Sequence, residues 1–379
     1  MELKKMNRKI LRSLLILDVI IAGFALVFVL VALWNKPLGP VLGLPTTLPN
    51  QEGNTLNLPV VNPKNSVSIP EPSPTHSSLL SQIVSLLKPP ASKSESLCGG
   101  PPVMTFLVVG SDGRSGDYLY GLADSIRIVR IDFATPNVMV LDIPRDLWVE
   151  IPDISDHYGI THGKLNQAYF FGNPGMGYYD GPGEGPGLLA RTLEQNFGLS
   201  VDHYLAVDMN TFVRLVDAVD GIDIYLDSTI DLNHNHDGEI PEYVLGPGIH
   251  HLDGQMALKL ARNRYPTTFQ RARYQNLVLR ALQAKLLTPA MLPELPQLIS
   301  QFAQSVQTDL SPNDINMLVC ISKALTKDNS SMLAFPEDMF SSGHIYDPYR
   351  QVNTYIMETD FNQIRSYIAD FMNGTWPMP

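Results

Sequence analysis

An α/β domain, a sheet with helices on both faces standing behind a single transmembrane helix, is what this sequence predicts, and three observations predict it. Residues 14–34 are almost wholly apolar apart from Asp18. Between residues 105 and 149 lie three apolar runs rich in Val, Ile and Leu and bounded by Gly, Asp or Pro, which is the length and make-up of buried strands. From residue 188 onward, runs at helical spacing alternate with short strand-like runs, the pattern of a sheet covered by helices.

The N-terminal segment comes first. Lys4, Lys5, Arg8, Lys9 and Arg12 precede the apolar run and only Lys36 follows closely. About 20 apolar residues cross a ~30 Å hydrocarbon core as a helix. The basic flank makes residues 1–13 a cytoplasmic tail and everything beyond residue 34 extracytoplasmic. A cleaved signal peptide would show a shorter apolar region and a small-residue cleavage site, and no convincing site follows. Residues 35–100 are rich in Pro, Ser, Asn and Thr. Such a stretch buries too little apolar surface to offset chain entropy, so a disordered tether is expected there. Residues 101–379 then form one extracytoplasmic domain.

The formal charge of −11 argues against a nucleic-acid partner, which would call for a basic footprint. Two cysteines, Cys98 and Cys320, exclude a disulfide scaffold or a Cys-rich zinc site. Whether they pair or remain thiols is open at this level.

The three strand-like runs carry the polar residues of interest near their ends. Paired as a meander, the first runs up, the second returns after the loop 113–123, and the third rises after the turn Ala134-Thr135-Pro136-Asn137. Asp112, Asp124 and Arg145 then share one sheet edge, the usual place for a ligand in α/β proteins. Two carboxylates beside a guanidinium suit a divalent metal and a phosphate, because Asp oxygens are hard ligands and Arg forks onto phosphate. The order VGSDG sets Ser111 directly after Gly110 and breaks the spacing a serine-hydrolase elbow requires.

Next, the Gly- and Pro-dense segment 172–187 predicts a long loop in which Glu184 and Asp180 read as solvated residues. Residues 188–197 have helical spacing with Gly198 as the stop. Strands are predicted at 203–207 and 221–226 with a helix at 209–219 between them. The run DLNHNHDGE, 231–239, partly matches a calcium loop, but Val244 stands where its twelfth-position acid belongs, so a polar loop is the better reading. Asp253 suits the N-cap of a helix over 255–261 that Pro266 stops, and 271–287 forms a longer helix. Arg262, Arg264, Arg271 and Arg273 crowd around that helix break, which in so acidic a chain points to an anion site. Helices at 290–308, 312–325 and 360–372 and a strand at 331–335 complete the same domain.

The ordered set GSD, ADSI, IPRDLWV, KLNQAY, DHYLAVD, LVDAVDGIDIYL, HLDGQMALKLARNR and QRARYQ, spread over residues 103–287, resembles the LytR-CpsA-Psr family of cell-envelope glycopolymer transferases. The resemblance implies a mixed central sheet sandwiched between helices (α-β-α) and an apolar groove for a polyprenyl chain. It further implies Mg²⁺-assisted transfer of a glycopolymer from a polyprenyl pyrophosphate carrier to a peptidoglycan hydroxyl. By position, Asp112 and Asp124 match the family's metal and pyrophosphate carboxylates and Arg145 its IPRD arginine. Arg262 and Arg264 match its R-x-R pair, Arg271 the arginine opening the next helix, and Gln275 the glutamine of its R-Q-Q run. Three positions depart: Leu122 stands for an arginine, Thr268 for an aspartate and Tyr274 for an arginine. Leu122, two residues before Asp124 on one strand, should share its side, and Arg114 is the residue expected to supply the missing cation.

Two alternatives keep the same site: a polyprenyl pyrophosphate hydrolase, with water as acceptor, and a protein that binds a polyprenyl-linked glycan without turnover. The topology gives the first testable outcome. Protease added to intact cells removes the C-terminal domain, and protection of that domain until lysis would reverse the predicted orientation.

Overall fold

The predicted meander forms. In the computed structural model, which describes residues 33–44, 96–113, 121–233, 240–265, 268–303, 305–326 and 328–376, Val103–Ser111 (β1) pairs antiparallel with Ala123–Asp132 (β2), which pairs antiparallel with Asn137–Asp142 (β3). The chain continues through Trp148–Glu150 (β4) and His162–Lys164 (β5) into the helices Leu165–Gly172 (α1) and Glu184–Phe197 (α2). His203–Asp208 (β6), Met209–Ala218 (α3) and Ile222–Leu226 (β7) follow, as predicted to within a residue or two. Then come Ile230–Asp231 (β8), Val244–Leu245 (β9), Gly248–Leu252 (β10), Gly254–Arg262 (α4) and Thr268–Leu286 (α5). The remainder is Leu295–Phe302 (α6), Val306–Thr308 (β11), Pro312–Ser322 (α7), Ser330–Ala334 (β12), the hairpin Ser341–Asp347 (β13) and Val352–Glu358 (β14), and Phe361–Asn373 (α8).

The central sheet is mixed, in the order β11-β6-β1-β2-β3-β12. β6 runs parallel to β1 and β12 parallel to β3, while β11 is antiparallel to β6. Both faces are covered, which is why the strands read as nearly continuous apolar runs. Leu107 and Val109 of β1 point into the large core shared with α1, α2 and α8; Met104 and Phe106 point the other way, against Met317 and Ile321 of α7. A further core joins α3, β7, α4, α5 and α6.

Several expectations need correction. The Gly-Pro segment does not stay irregular to residue 187, because α2 begins at Glu184. Its glycines serve packing: a Cβ at Gly185 would lie 2.8 Å from the carbonyl oxygen of Tyr169, so a bare backbone lets α1 and α2 cross closely. The helix predicted over 290–308 is shorter, since the chain leaves it after Phe302 and adds β11 to the sheet edge. The β13–β14 hairpin is absent from the sequence reading; its residues are mostly half-buried or exposed and lack a clean apolar alternation. Residues 36–44 do not belong to a tether: Leu42 is 3% exposed within the main core. Among the described residues no helix is long and apolar enough to cross a membrane, and the predicted span lies outside them except for its last two residues.

Cys98 and Cys320 form a disulfide, with Cα atoms 5.8 Å apart across a sequence separation of 222. It ties the start of the domain to α7. Closing so long a loop in the unfolded chain is worth about 3–5 kcal/mol. Reductant and replacement of both cysteines by Ser should therefore each lower the unfolding temperature, and to a similar extent. Thermal unfolding of the wild type with and without dithiothreitol checks this; coincident transitions contradict it.

Candidate functional site

Asp112, Asp124 and Arg145 reach one edge of the sheet, each by a different local device. Asp112 follows β1 and is bound to the first rung beyond it: its N–H donates to the Leu122 carbonyl at 3.1 Å, and the Leu122 N–H donates to Asp112 Oδ1 at 2.6 Å. Asp124 sits in a β-bulge. Ser111 faces Ala123 and Gly110 faces Ser125, so Asp124 is the extra residue. The bulge breaks the two-residue alternation, and Ala123 joins Ile126 and Ile128 on one core face. For that reason the parity that would pair Leu122 with Asp124 does not hold. A bulge at a strand end re-aims a side chain, and here Asp124 turns into an ion pair with Arg145 Nη1.

Arg145 is held on further sides. Its Nε lies 3.3 Å from Asp146 Oδ2, its carbonyl accepts the Asn166 N–H at 3.1 Å, and Asp146 Oδ1 lies 3.1 Å from Lys164 Nζ. Burial pushes the Asp146 carboxyl upward, but Arg145 and Lys164 outweigh it and leave it below its ordinary value. Its ion pairs thus contribute stability above the usual carboxylate range, and that contribution is lost as pH falls through the lowered value.

Asp124, Arg145 and Asp146 line an open cleft, with Asp142, Phe269, Arg271, Gln275 and Met357 on its other walls. Arg271, in the first turns of α5, is 8% exposed. Burial, then the repulsion of Arg145, lowers its pKa to about 10; Asp124 and Asp146 act in the opposite sense and Arg264 adds to the lowering. No hydrogen bond or ion pair to another described residue holds the Arg271 guanidinium. It stays charged at neutral pH, at a cost of about 3 kcal/mol. Opposite it, Arg127 is 2% exposed and locks α5 to the sheet: Nη2 lies 3.4 Å from Asp142, and the guanidinium donates to Asn276 Oδ1 at 2.6 Å and to Gln275 Oε1 at 3.4 Å.

The structure therefore gathers Asp124, Arg145, Arg271 and Gln275 in one cleft, with Asp112 on the neighbouring strand end. Arg264 is exposed but close enough for its charge to act on Arg271; Arg262, exposed in the last turn of α4, has no contact that brings it into the cleft. Arg114 lies outside the described residues, as do residues 234–239 of the polar loop. Asn233, which is described, spends its side chain on closing that loop, with its amide on Asp231 and its carbonyl taking the Ile240 N–H at 2.8 Å. Tyr274 packs in the core beneath α5, away from the cleft, so that departure reflects packing. Sequence reasoning missed Arg127, Asp142, Asp146, Lys164 and Met357. A signal existed for Arg127, since an arginine inside an apolar strand run implies a buried, paired charge.

Comparison with known proteins gives three findings. The sequence model of the LytR_cpsA_psr family matches residues 92–363. The polyisoprenyl-teichoic acid–peptidoglycan teichoic acid transferase TagU of Oceanobacillus iheyensis is 29% identical over 219 residues, 57% of this chain and 62% of that protein. The regulatory protein MsrR of Staphylococcus aureus is 26% identical over 216 residues, 56% and 58% of the two chains. The match thus covers less than two thirds of either relative. Among solved structures, B. subtilis TagV has a TM-score of 0.53 at 22% identity, covering 72% of this chain and 98% of that one. TagT with bound octaprenyl pyrophosphate lipid has a TM-score of 0.51 at 20% identity, covering 72% and 90%. At these identities the structural likeness is one of fold.

A buried cation whose desolvation is not returned by a partner destabilises the ligand-free protein and rewards an anion. Arg271→Met should therefore leave the free protein as stable as wild type or more stable by about 1–3 kcal/mol. The same change should abolish the rise in unfolding temperature that inorganic pyrophosphate produces in the wild type. Equal pyrophosphate shifts in both proteins would remove Arg271 from the anion site.

Proposed function

Because the chain belongs to the LytR-CpsA-Psr family, we propose that it transfers a glycopolymer from a polyprenyl pyrophosphate carrier to a hydroxyl of peptidoglycan or another envelope glycan. The observation that carries this reading is the buried Arg271 guanidinium, unpartnered among the described residues, beside Arg145 in a cleft of an acidic protein. Such a pair of guanidiniums suits a diphosphate, whose charge they neutralise in place of water. The relative named as a teichoic acid transferase and the TagT structure holding octaprenyl pyrophosphate support the choice of donor.

In the proposed reaction the acceptor oxygen attacks the phosphorus that carries the glycan. The pyrophosphate bridge breaks, a phosphodiester forms and polyprenyl phosphate leaves. Arg145 and Arg271 hold the two phosphates in line and stabilise the charge that builds on the leaving one. Asp124 lines the cleft and is the base for the incoming hydroxyl. Asp112 and Asp124, on neighbouring strand ends, have the hard oxygens that take Mg²⁺ together with phosphate oxygens, and such an ion would neutralise charge on the leaving group. The apolar groove for the prenyl chain belongs to the same proposal.

The protein is proposed to lie in the cell membrane by a single pass, with its N-terminus cytoplasmic and its domain extracytoplasmic. The basic flank and apolar run support this, as does the Cys98–Cys320 bridge, since disulfides persist in oxidising compartments.

The test is incubation of the full-length protein with Mg²⁺, a labelled polyprenyl pyrophosphate-linked glycan and peptidoglycan. Label should move to peptidoglycan with release of polyprenyl phosphate, and Asp124→Asn should lower kcat about 100-fold or more. Phosphate release that ignores the acceptor would make the protein a hydrolase. Saturable binding with no product would leave it a carrier-binding protein.

A further inference from the structure

Where the apolar N-terminal run ends, the chain stays on the domain. The Leu38 N–H donates to the Leu310 carbonyl at 3.1 Å. Gly39 passes so close to β11 that a Cβ there would lie 2.6 Å from the Thr308 carbonyl oxygen. Leu42 is buried in the main core, and Leu44 packs against the same core. The opposite side of this short segment is apolar and uncovered: Leu33 is 55% exposed, Trp34 49%, Leu38 51% and Val41 50%. Single exposed apolar side chains are ordinary, but four within nine residues, continuous with an apolar run of bilayer length, form a patch with one evident neighbour.

We infer that residues 36–44 are a docking strip that lays the β11 edge of the sheet on the lipid surface, with Leu33, Trp34, Leu38 and Val41 meeting the bilayer interface. The inference rests on the anchored topology proposed above. Trp at the end of an apolar span suits the headgroup level, where its ring has both an apolar and a polar neighbour. The consequence is one of height. A free tether over residues 35–100 would let the domain range over roughly 45 Å, taking ~5.5 Å times the square root of its length. With the strip docked, the cleft lies about four strand spacings of ~4.8 Å across the sheet and four residues of ~3.3 Å along it from the anchor's exit, roughly 23 Å in a straight line. The cleft then stands at a fixed height above the headgroups. The chain is on the domain at Leu44 and again at Ser96, so the number of residues between them does not set that height.

The test uses the full-length chain in liposomes, with a fluorophore at Tyr225→Cys, an exposed position remote from the cleft, and an acceptor dye on the lipid headgroups. The protein should float with the liposomes, and energy transfer should not change when residues 45–95 are duplicated, an alteration outside every element described above. Gly39→Val, which drives a side chain against the Thr308 carbonyl and the Tyr204 hydroxyl, should lower the transfer efficiency and make it fall further with the duplication. A fall on duplication in the otherwise unaltered protein overturns the inference, as does a Gly39→Val protein whose transfer stays independent of length. Failure to float removes the anchor reading, and this inference with it, and so is distinguished from failure of the strip alone.

Discussion

Two guanidiniums, Arg145 and Arg264, act on a third, Arg271, at this edge of the sheet, and the carboxylate that opposes them is Asp124. Arg145 is ion-paired to it, Arg271 feels its field, and Arg264 adds positive charge from the break between α4 and α5. Like charges gathered at one partly desolvated cleft repel, and a carboxylate among them offsets that repulsion. The one-residue bulge supplies it: without the extra residue in β2, ladder register would be regular through position 124 and the aspartate would follow strict alternation. The site therefore depends on a backbone irregularity, with the side-chain chemistry built upon it.

The same constraint explains how the walls are held. α5 brings Arg271 and Gln275 to the cleft, and α5 is fastened to the sheet by Arg127, whose guanidinium reaches a carboxylate on β3 and two amide side chains on the helix. A buried arginine so fully engaged is a fixed strut. The contrast with Arg271, also buried but without a partner among the described residues, separates a structural cation from one available to a ligand, although both are arginines on elements that flank one cleft.

Much of this was legible in the sequence because it is local. Strand runs, the Asp253 cap and the Gly198 stop are written in a few adjacent residues, and Asp253 does accept the Met256 N–H while Gly198 does take a left-handed conformation. The meander, and with it the shared edge of Asp112, Asp124 and Arg145, followed from strand order and turn chemistry alone. What escaped was non-local or cooperative. The bulge leaves no mark in composition; Arg127 draws its meaning from residues some 148 positions away; Met357 arrives from a hairpin whose strands are mostly half-buried or exposed. Tyr274 looked like a lost cation until its burial showed that the helix face at that position meets a core. Leu122, another departure, contributes through its backbone, which holds the Asp112 carboxylate whatever side chain it carries.

The disulfide has a mechanical meaning as well. Cys98 lies two residues after the point where the chain re-enters the domain, and its bond leads to Cys320 in α7, on the outer face of the sheet. A pull on the chain at Ser96 passes through sulfur into that helix before it loads the hydrogen bonds of β1. Those bonds sit in the middle of the sheet and end at Asp112. A covalent shunt at the domain's threshold thus keeps pulling forces off the strand that positions the chemistry.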